Sequence, residues 1–192
     1  MDDPIYKILK TAAITFGLLW LGWTIYDGVV QEKIPGEKSY EAANRYFEDG
    51  NYAQALNEYE QALKEDPSLL PAKRGQARSL MQLGKIDNAL AIFNDAIQRD
   101  PNFAPAYANR GIVYDRMEKY EKAIADYDKA ISLDAEKVEG PGWLTRFLRL
   151  ETETVPTVAA RSQYLKEQLA KPASERVLSL PEKDAAQRSH KK

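Results

Sequence analysis

The sequence predicts an all-α protein: one N-terminal transmembrane helix, a solenoid of three helical hairpins, and C-terminal capping helices. Three observations carry this. Residues Thr11–Tyr26 read TAAITFGLLWLGWTIY without a charge. The middle of the chain repeats itself without a gap, at a period of about 34 residues. A Gly-Pro-Gly break at 140–142 precedes further apolar, helix-spaced residues. The chain divides accordingly into a flank (1–10), an anchor (11–30), the repeats (31–135), capping helices (136–172) and an extended or disordered tail (173–192).

The anchor is bounded by Lys10 and Asp27. Its 16 uncharged residues would rise about 24 Å as a helix, against a hydrocarbon core of roughly 30 Å, so both charges must sit near the interfaces. Trp20, Trp23 and Tyr26 crowd its carboxyl end, where amphipathic rings favour the headgroup level. A cleaved signal peptide is the rival reading, but the exit IYDGVVQEK offers no small-x-small site. Lys7 and Lys10 stand closer to the span than Lys33 and Lys38, which orients the amino terminus inward; in a bacterium this places the repeats in the periplasm, tethered to the inner membrane.

Within the repeats, Ala43, Ala77 and Gly111 stand one period apart. So do Tyr46, Leu80 and Tyr114; Tyr52, Ile86 and Tyr120; Ala55, Ala89 and Ala123; Tyr59, Phe93 and Tyr127; Ala62, Ala96 and Ala130; and Asp66, Asp100 and Asp134. Small residues at close-approach positions let paired helices pack, and the aromatic and Leu positions fill the space between them. Gly50 and Gly84 mark the turns inside hairpins, and Pro67 and Pro101 the turns between them. The units run over about 36–67, 70–101 and 104–135.

This period and these residue classes resemble the tetratricopeptide repeat, most closely over NRGIVYDRMEKYEKAIADYDKAISLD. The departures are Ser39, Lys73 and Tyr107 at the first-helix tryptophan position, Glu118 where glycine is usual, and Ala135 in place of the terminal proline. The last two suggest that the array ends after three repeats. The segment WLTRFLRL, with Trp143, Leu144, Phe147 and Leu148 at helical spacing, is expected to cap the last hairpin, followed by a second helix over Thr157–Ala170.

The resemblance implies a concave groove lined by the first helix of each repeat and made for a protein segment. Its positions fall on Glu37, Tyr40, Asn44 and Phe47, on Pro71, Arg74, Arg78 and Met81, and on Pro105, Ala108, Ile112 and Asp115, with Asn109 also of a suitable type. Arg74 and Arg78, one turn apart, would grip a peptide carboxylate, and Tyr40, Phe47 and Met81 would supply apolar contact. The clamp with which some relatives hold chaperone termini is not supported, because Gly75 replaces its second-repeat asparagine and the third repeat lacks the basic pair.

Chemistry is not expected. The single histidine, His190, lies near the end, and there is no cysteine, so neither a thiol nucleophile nor a zinc cluster of the usual ligands can form. With 29 acidic and 27 basic groups the chain has no basic excess to displace phosphate counterions, which argues against nucleic acid. No cofactor, metal or small-molecule substrate is expected. Three roles remain: a membrane-anchored adaptor or assembly factor, a permanent subunit of a membrane complex, or, more weakly, activation of a membrane synthase by contact. In the second, the segment SERVLSLPEKD would dock as an extended strand along a neighbour.

Overall fold

A computed structural model describes residues 3–30, 35–139 and 157–179. These form eight α-helices: α1 (Pro4–Val30), α2 (Glu37–Glu48), α3 (Tyr52–Glu65), α4 (Leu70–Gln82), α5 (Ile86–Arg99), α6 (Ala104–Arg116), α7 (Tyr120–Glu139) and α8 (Val158–Leu169), the last followed by a 3-10 turn at Ala173–Glu175. No strand occurs among the described residues. The predicted capping segment WLTRFLRL and residues 181–192 lie outside them.

Helix α1 is longer than its apolar stretch. At 1.5 Å per residue its 27 residues would span about 40 Å, and Pro4–Tyr26 is a candidate membrane span by length and composition. Its Ile, Leu, Phe and Trp side chains are exposed. The Thr11, Thr15 and Thr24 hydroxyls donate back to the Lys7, Thr11 and Leu21 carbonyls, so these polar groups are satisfied without solvent.

Helices α2 to α7 form three hairpins, and the repeating alanines explain why they can. Ala43, Ala55, Ala62, Ala77, Ala89, Ala96, Ala123 and Ala130 are all fully buried where helices cross, and Tyr59, Phe93 and Tyr127 fill the volume between. The core runs continuously from Ala77 through the third hairpin to Val158 and Leu165 of α8, with a smaller cluster around Tyr59 in the first.

Each hairpin turns through a left-handed residue: Gly50 at φ 77°, Gly84 at φ 74° and Glu118 at φ 58°. The following amide closes the turn in all three, from Asn51 to Tyr46, Lys85 to Leu80 and Lys119 to Tyr114, at 2.8–2.9 Å. Glu118 therefore keeps the geometry at a steric cost that glycine avoids, about 1 kcal/mol. Glu118→Gly is expected to raise the thermal midpoint by a few degrees in a calorimetric scan.

Asp66, Asp100 and Asp134 share a non-helical conformation that ends each repeat. Proline follows the first two; Ala135 follows the third, and there helix resumes to Glu139, past the boundary that the sequence assigns at 135. Helix α8 starts on the Thr157 side chain, which accepts from the Ala160 amide at 3.1 Å, and packs against α7. Beyond α8 the chain extends over Arg176–Ser179 along its own helix, while residues 180–184 of the segment expected to dock on a neighbour lie outside the described residues. The Tyr164 hydroxyl donates to the Val177 carbonyl at 2.6 Å, the Val177 amide donates to Gln168 Oε1 at 3.0 Å, and Leu178 packs on the core.

Candidate functional site: the groove between the first helices

The first helices of the hairpins, α2, α4 and α6, enclose a cleft lined by Tyr40, Pro71, Arg74, Arg78, Phe93, Phe103, Ala106 and Asn109, with about 40 Å³ of free space. That volume holds a few waters or one small polar head, not a ring.

Five of the groove positions read from the sequence meet there: Tyr40, Pro71, Arg74, Arg78 and Asn109. The two arginines have different surroundings. Arg74 is engaged: its Nη2 pairs with Asp100 at the end of α5, and its guanidinium stacks over Phe103 at 3.6 Å from the ring centre. Its Nε is nevertheless buried and lacks an acceptor. Arg78, only 4% exposed, stacks over Phe47 at 4.4 Å and donates through Nη2 to the Tyr59 hydroxyl at 3.3 Å. No ion pair joins it to a carboxylate among the described residues, and burial pulls its pKa below the ordinary arginine range.

Asn44 and Phe47 do not line the cleft but support the residues around it. Asn44 Oδ1 accepts from the Tyr59 hydroxyl at 2.8 Å, so this amide positions the phenol that Arg78 touches. Phe47 supplies the ring beneath Arg78 and meets Tyr52 edge-on at 5.2 Å. Met81 and Ile112 are placed otherwise than the groove positions imply. Both lie in the core, at 0% and 2% exposure, so they offer no apolar surface to a ligand in this arrangement.

Phe93, Phe103 and Ala106 line the cleft although the sequence did not mark them as groove positions, and Tyr59 and Asp100 act on its arginines from outside it. Tyr59 reads as core from its period and is fully buried, but its hydroxyl contacts Arg78. The available signal was chemical: the equivalent position in the second hairpin is Phe93, so a hydroxyl is not needed for packing. Phe103 and Asp100 lie at a hairpin junction and act on Arg74 from a distant part of the chain, which spacing along one helix cannot reveal.

Burial, opposed by the neighbouring Arg78 charge, pushes the Tyr59 phenol up to about 12. The folded state thus holds the proton more tightly than an unfolded tyrosine with a pKa near 10. The stabilisation is fully present below about pH 10 and is lost as pH rises toward 12, by about 2 kcal/mol. Tyr59→Phe should flatten that part of a urea-stability profile recorded from pH 9 to 12, since lysines and other tyrosines remain common to both proteins.

Residues 46–110 and 104–136 match models of the tetratricopeptide repeat. The hairpin array is a tetratricopeptide-repeat domain, a fold that serves as a protein-interaction scaffold. Among solved structures, similarity extends to the first such domain of Spaghetti (RPAP3), bound to the HSP90 peptide SRMEEVD, with a TM-score of 0.57 at 20% identity over 71% of this chain and 94% of that one. The TPR2B domain of yeast Sti1 in complex with pHsp70 gives 0.54 at 23% identity over 70% and 97%. YrrB, described as having an unusual peptide-binding site, gives 0.50 at 26% identity over 55% and 54%. Comparison with curated proteins gives no significant match.

Proposed function

We propose that this chain is a membrane-anchored adaptor or assembly factor whose repeat groove binds an extended segment of a partner protein. The observation that carries the reading is the cleft between α2, α4 and α6, with cationic guanidinium groups on its floor and Tyr40, Pro71 and Phe103 on its walls. A mixed cationic and aromatic cleft fits a peptide better than it fits a metal or a reaction, and peptide complexes of structurally similar domains support it. Helix α1 would hold the repeats at a membrane, raising the local concentration of partner so that modest affinity suffices. With Lys7 and Lys10 marking the inner side, the groove faces outward, into the periplasm if the host is bacterial.

A second reading, a permanent subunit of a membrane complex, is favoured by the exposed apolar surface of α1, where nothing lies within 4 Å of a side chain added at Gly17 or Gly22. Photocrosslinking in the native host separates the two, with probes at Tyr40 and at Gly17. Capture of one protein from Tyr40, abolished by the Arg74→Glu, Arg78→Glu double variant, is the expected result. Capture from Gly17 alone, with Tyr40 silent, would replace the adaptor by the subunit.

A further inference from the structure

Helix α8 stands where the first helix of a fourth hairpin would stand, and it carries an extended stretch of the chain on one face. Ala77-Arg78-Ser79 in α4 recurs as Ala160-Arg161-Ser162 in α8, and α8 packs on α7 as α4 packs on α3. Arg161 reaches back to Asp115 of α6 through Nε and Nη2, at 2.7 and 2.8 Å, and the Tyr127 hydroxyl donates to the same carboxylate at 3.1 Å. Asp115 holds a groove position of α6. The surface lined by the first helices therefore continues from α6 onto α8.

Arg161, Tyr164 and Gln168 stand three and four residues apart, on one face of α8. All three bind main chain. The Arg161 Nη2 donates to the Leu178 carbonyl at 3.0 Å, the Tyr164 hydroxyl donates to the Val177 carbonyl at 2.6 Å, and the Val177 amide donates to Gln168 Oε1 at 3.0 Å. Two consecutive residues are thus held through peptide groups that every sequence possesses, as when an extended segment is recognised by its backbone. Leu178 adds an apolar contact with the core. Val177 remains 52% exposed, and Arg176 turns back to donate to the Lys171 carbonyl at 2.9 Å.

The two sides of this contact are unequal. Arg161 and Gln168 are each only 7% exposed, so their polar groups are desolvated and need hydrogen-bonding partners above them. The segment that supplies those partners buries little apolar surface of its own, and the chain between α8 and Arg176 is short, so its advantage over a free peptide is an effective concentration of millimolar order. The face of α8 requires an extended occupant, and residues 176–179 are weakly held in that place.

We infer that the Arg161, Tyr164 and Gln168 face of α8 is a second docking station, outside the cleft between α2, α4 and α6, for an extended partner segment with a leucine-like side chain, and that residues 176–179 hold it in cis as an exchangeable occupant. The station extends the proposed peptide binding, and rests on that reading for the ligand being a protein segment. A partner that takes the station releases residues 176–179 from α8.

The test uses the full chain in detergent micelles. Its probes are a fluorescent copy of residues 174–179, Ser-Glu-Arg-Val-Leu-Ser, and the same peptide methylated on the valine nitrogen, which removes the donor to Gln168. In the unaltered chain the Val177 amide should be protected from hydrogen exchange about 10- to 100-fold, and the amides of α8 at least about tenfold more. Closure in cis competes with the peptide, so opening the segment by Val177→Pro with Leu178→Gly should tighten peptide binding by the same factor as the Val177 protection. In that opened chain, N-methylation of the peptide or Gln168→Ala should each weaken binding about tenfold. Val177 exchanging no faster than α8, an affinity unchanged by opening, or indifference to both N-methylation and Gln168→Ala would overturn the inference. The exchange measurement needs no substitution, so it decides the matter even where a variant folds poorly. If these results fail while Tyr40 still captures a partner, the groove reading stands without a station on α8; if they hold with Tyr40 silent, α8 is a docking station and the cleft is not.

Discussion

Replacing Arg161 by alanine is expected to lower the unfolding free energy by about 3–5 kcal/mol, one of the two largest single-residue effects in this molecule. The change removes a bidentate guanidinium from a carboxylate that is only 5% exposed, along with the donor that reaches the Leu178 carbonyl at 3.0 Å. The first loss leaves charge in a place water does not reach, and the second loosens the extended segment from α8. The cost arises from breaking the pair rather than from the pair's net worth. Arg161→Met combined with Asp115→Leu should therefore recover most of the stability, because two apolar groups of similar volume need no desolvation. Urea denaturation followed by circular dichroism measures both, and hydrogen exchange should show α8 amides opening first in Arg161→Ala. A cost near that of an exposed ion pair, below about 1 kcal/mol, would mean that Val158, Leu165 and the contacts of Ser162 and Lys166 with Asp128 hold α8 without it.

The hairpins were legible because their code is periodic. A residue whose role depends on its own helix, such as Ala55 at a crossing or Gly84 in a turn, has the same identity one period away, so the fold could be read from register without any contact being known. The groove was legible only by position. Spacing placed Arg74 and Arg78 on one face of α4, and they do share a cleft, but it could not show that Asp100 would take the first while the second turned toward Tyr59. Nor could it show that Met81 and Ile112 would be covered, since that depends on which elements pack over α4 and α6. Helix α8 escaped the periodicity for a different reason. Two periods carry Ala77 to Thr145, whereas the second Ala-Arg-Ser begins only at Ala160, so a search at fixed period passes over it although the side-chain contacts repeat.

Gly75→Ala is the other large expected effect, and it links packing to the groove. A Cβ at this position would lie 2.2–2.8 Å from three carbons of the Tyr59 ring. That ring is fully buried, and its hydroxyl is fixed between Asn44 and Arg78, so it cannot swing aside without breaking both contacts. One period later the equivalent pair is Asn109 beside Phe93, where a side chain longer than alanine is accommodated. The glycine therefore answers to the placement of Tyr59, which occupies the space over α4 that Phe93 leaves to Asn109 on α6. Overpacking of this kind should cost about 1–3 kcal/mol in a urea titration. Tyr59→Leu should relieve most of it in the double variant, whereas Tyr59→Phe should not, because the clash is with the ring and not with the hydroxyl. The same substitution displaces the phenol against which Arg78 is aligned, so Gly75→Ala should weaken the proposed partner capture at Tyr40 even where the protein remains folded. A variant that loses stability but leaves photocrosslinking from Tyr40 unchanged would separate the two roles of Tyr59, making it a packing residue whose hydroxyl does not orient Arg78.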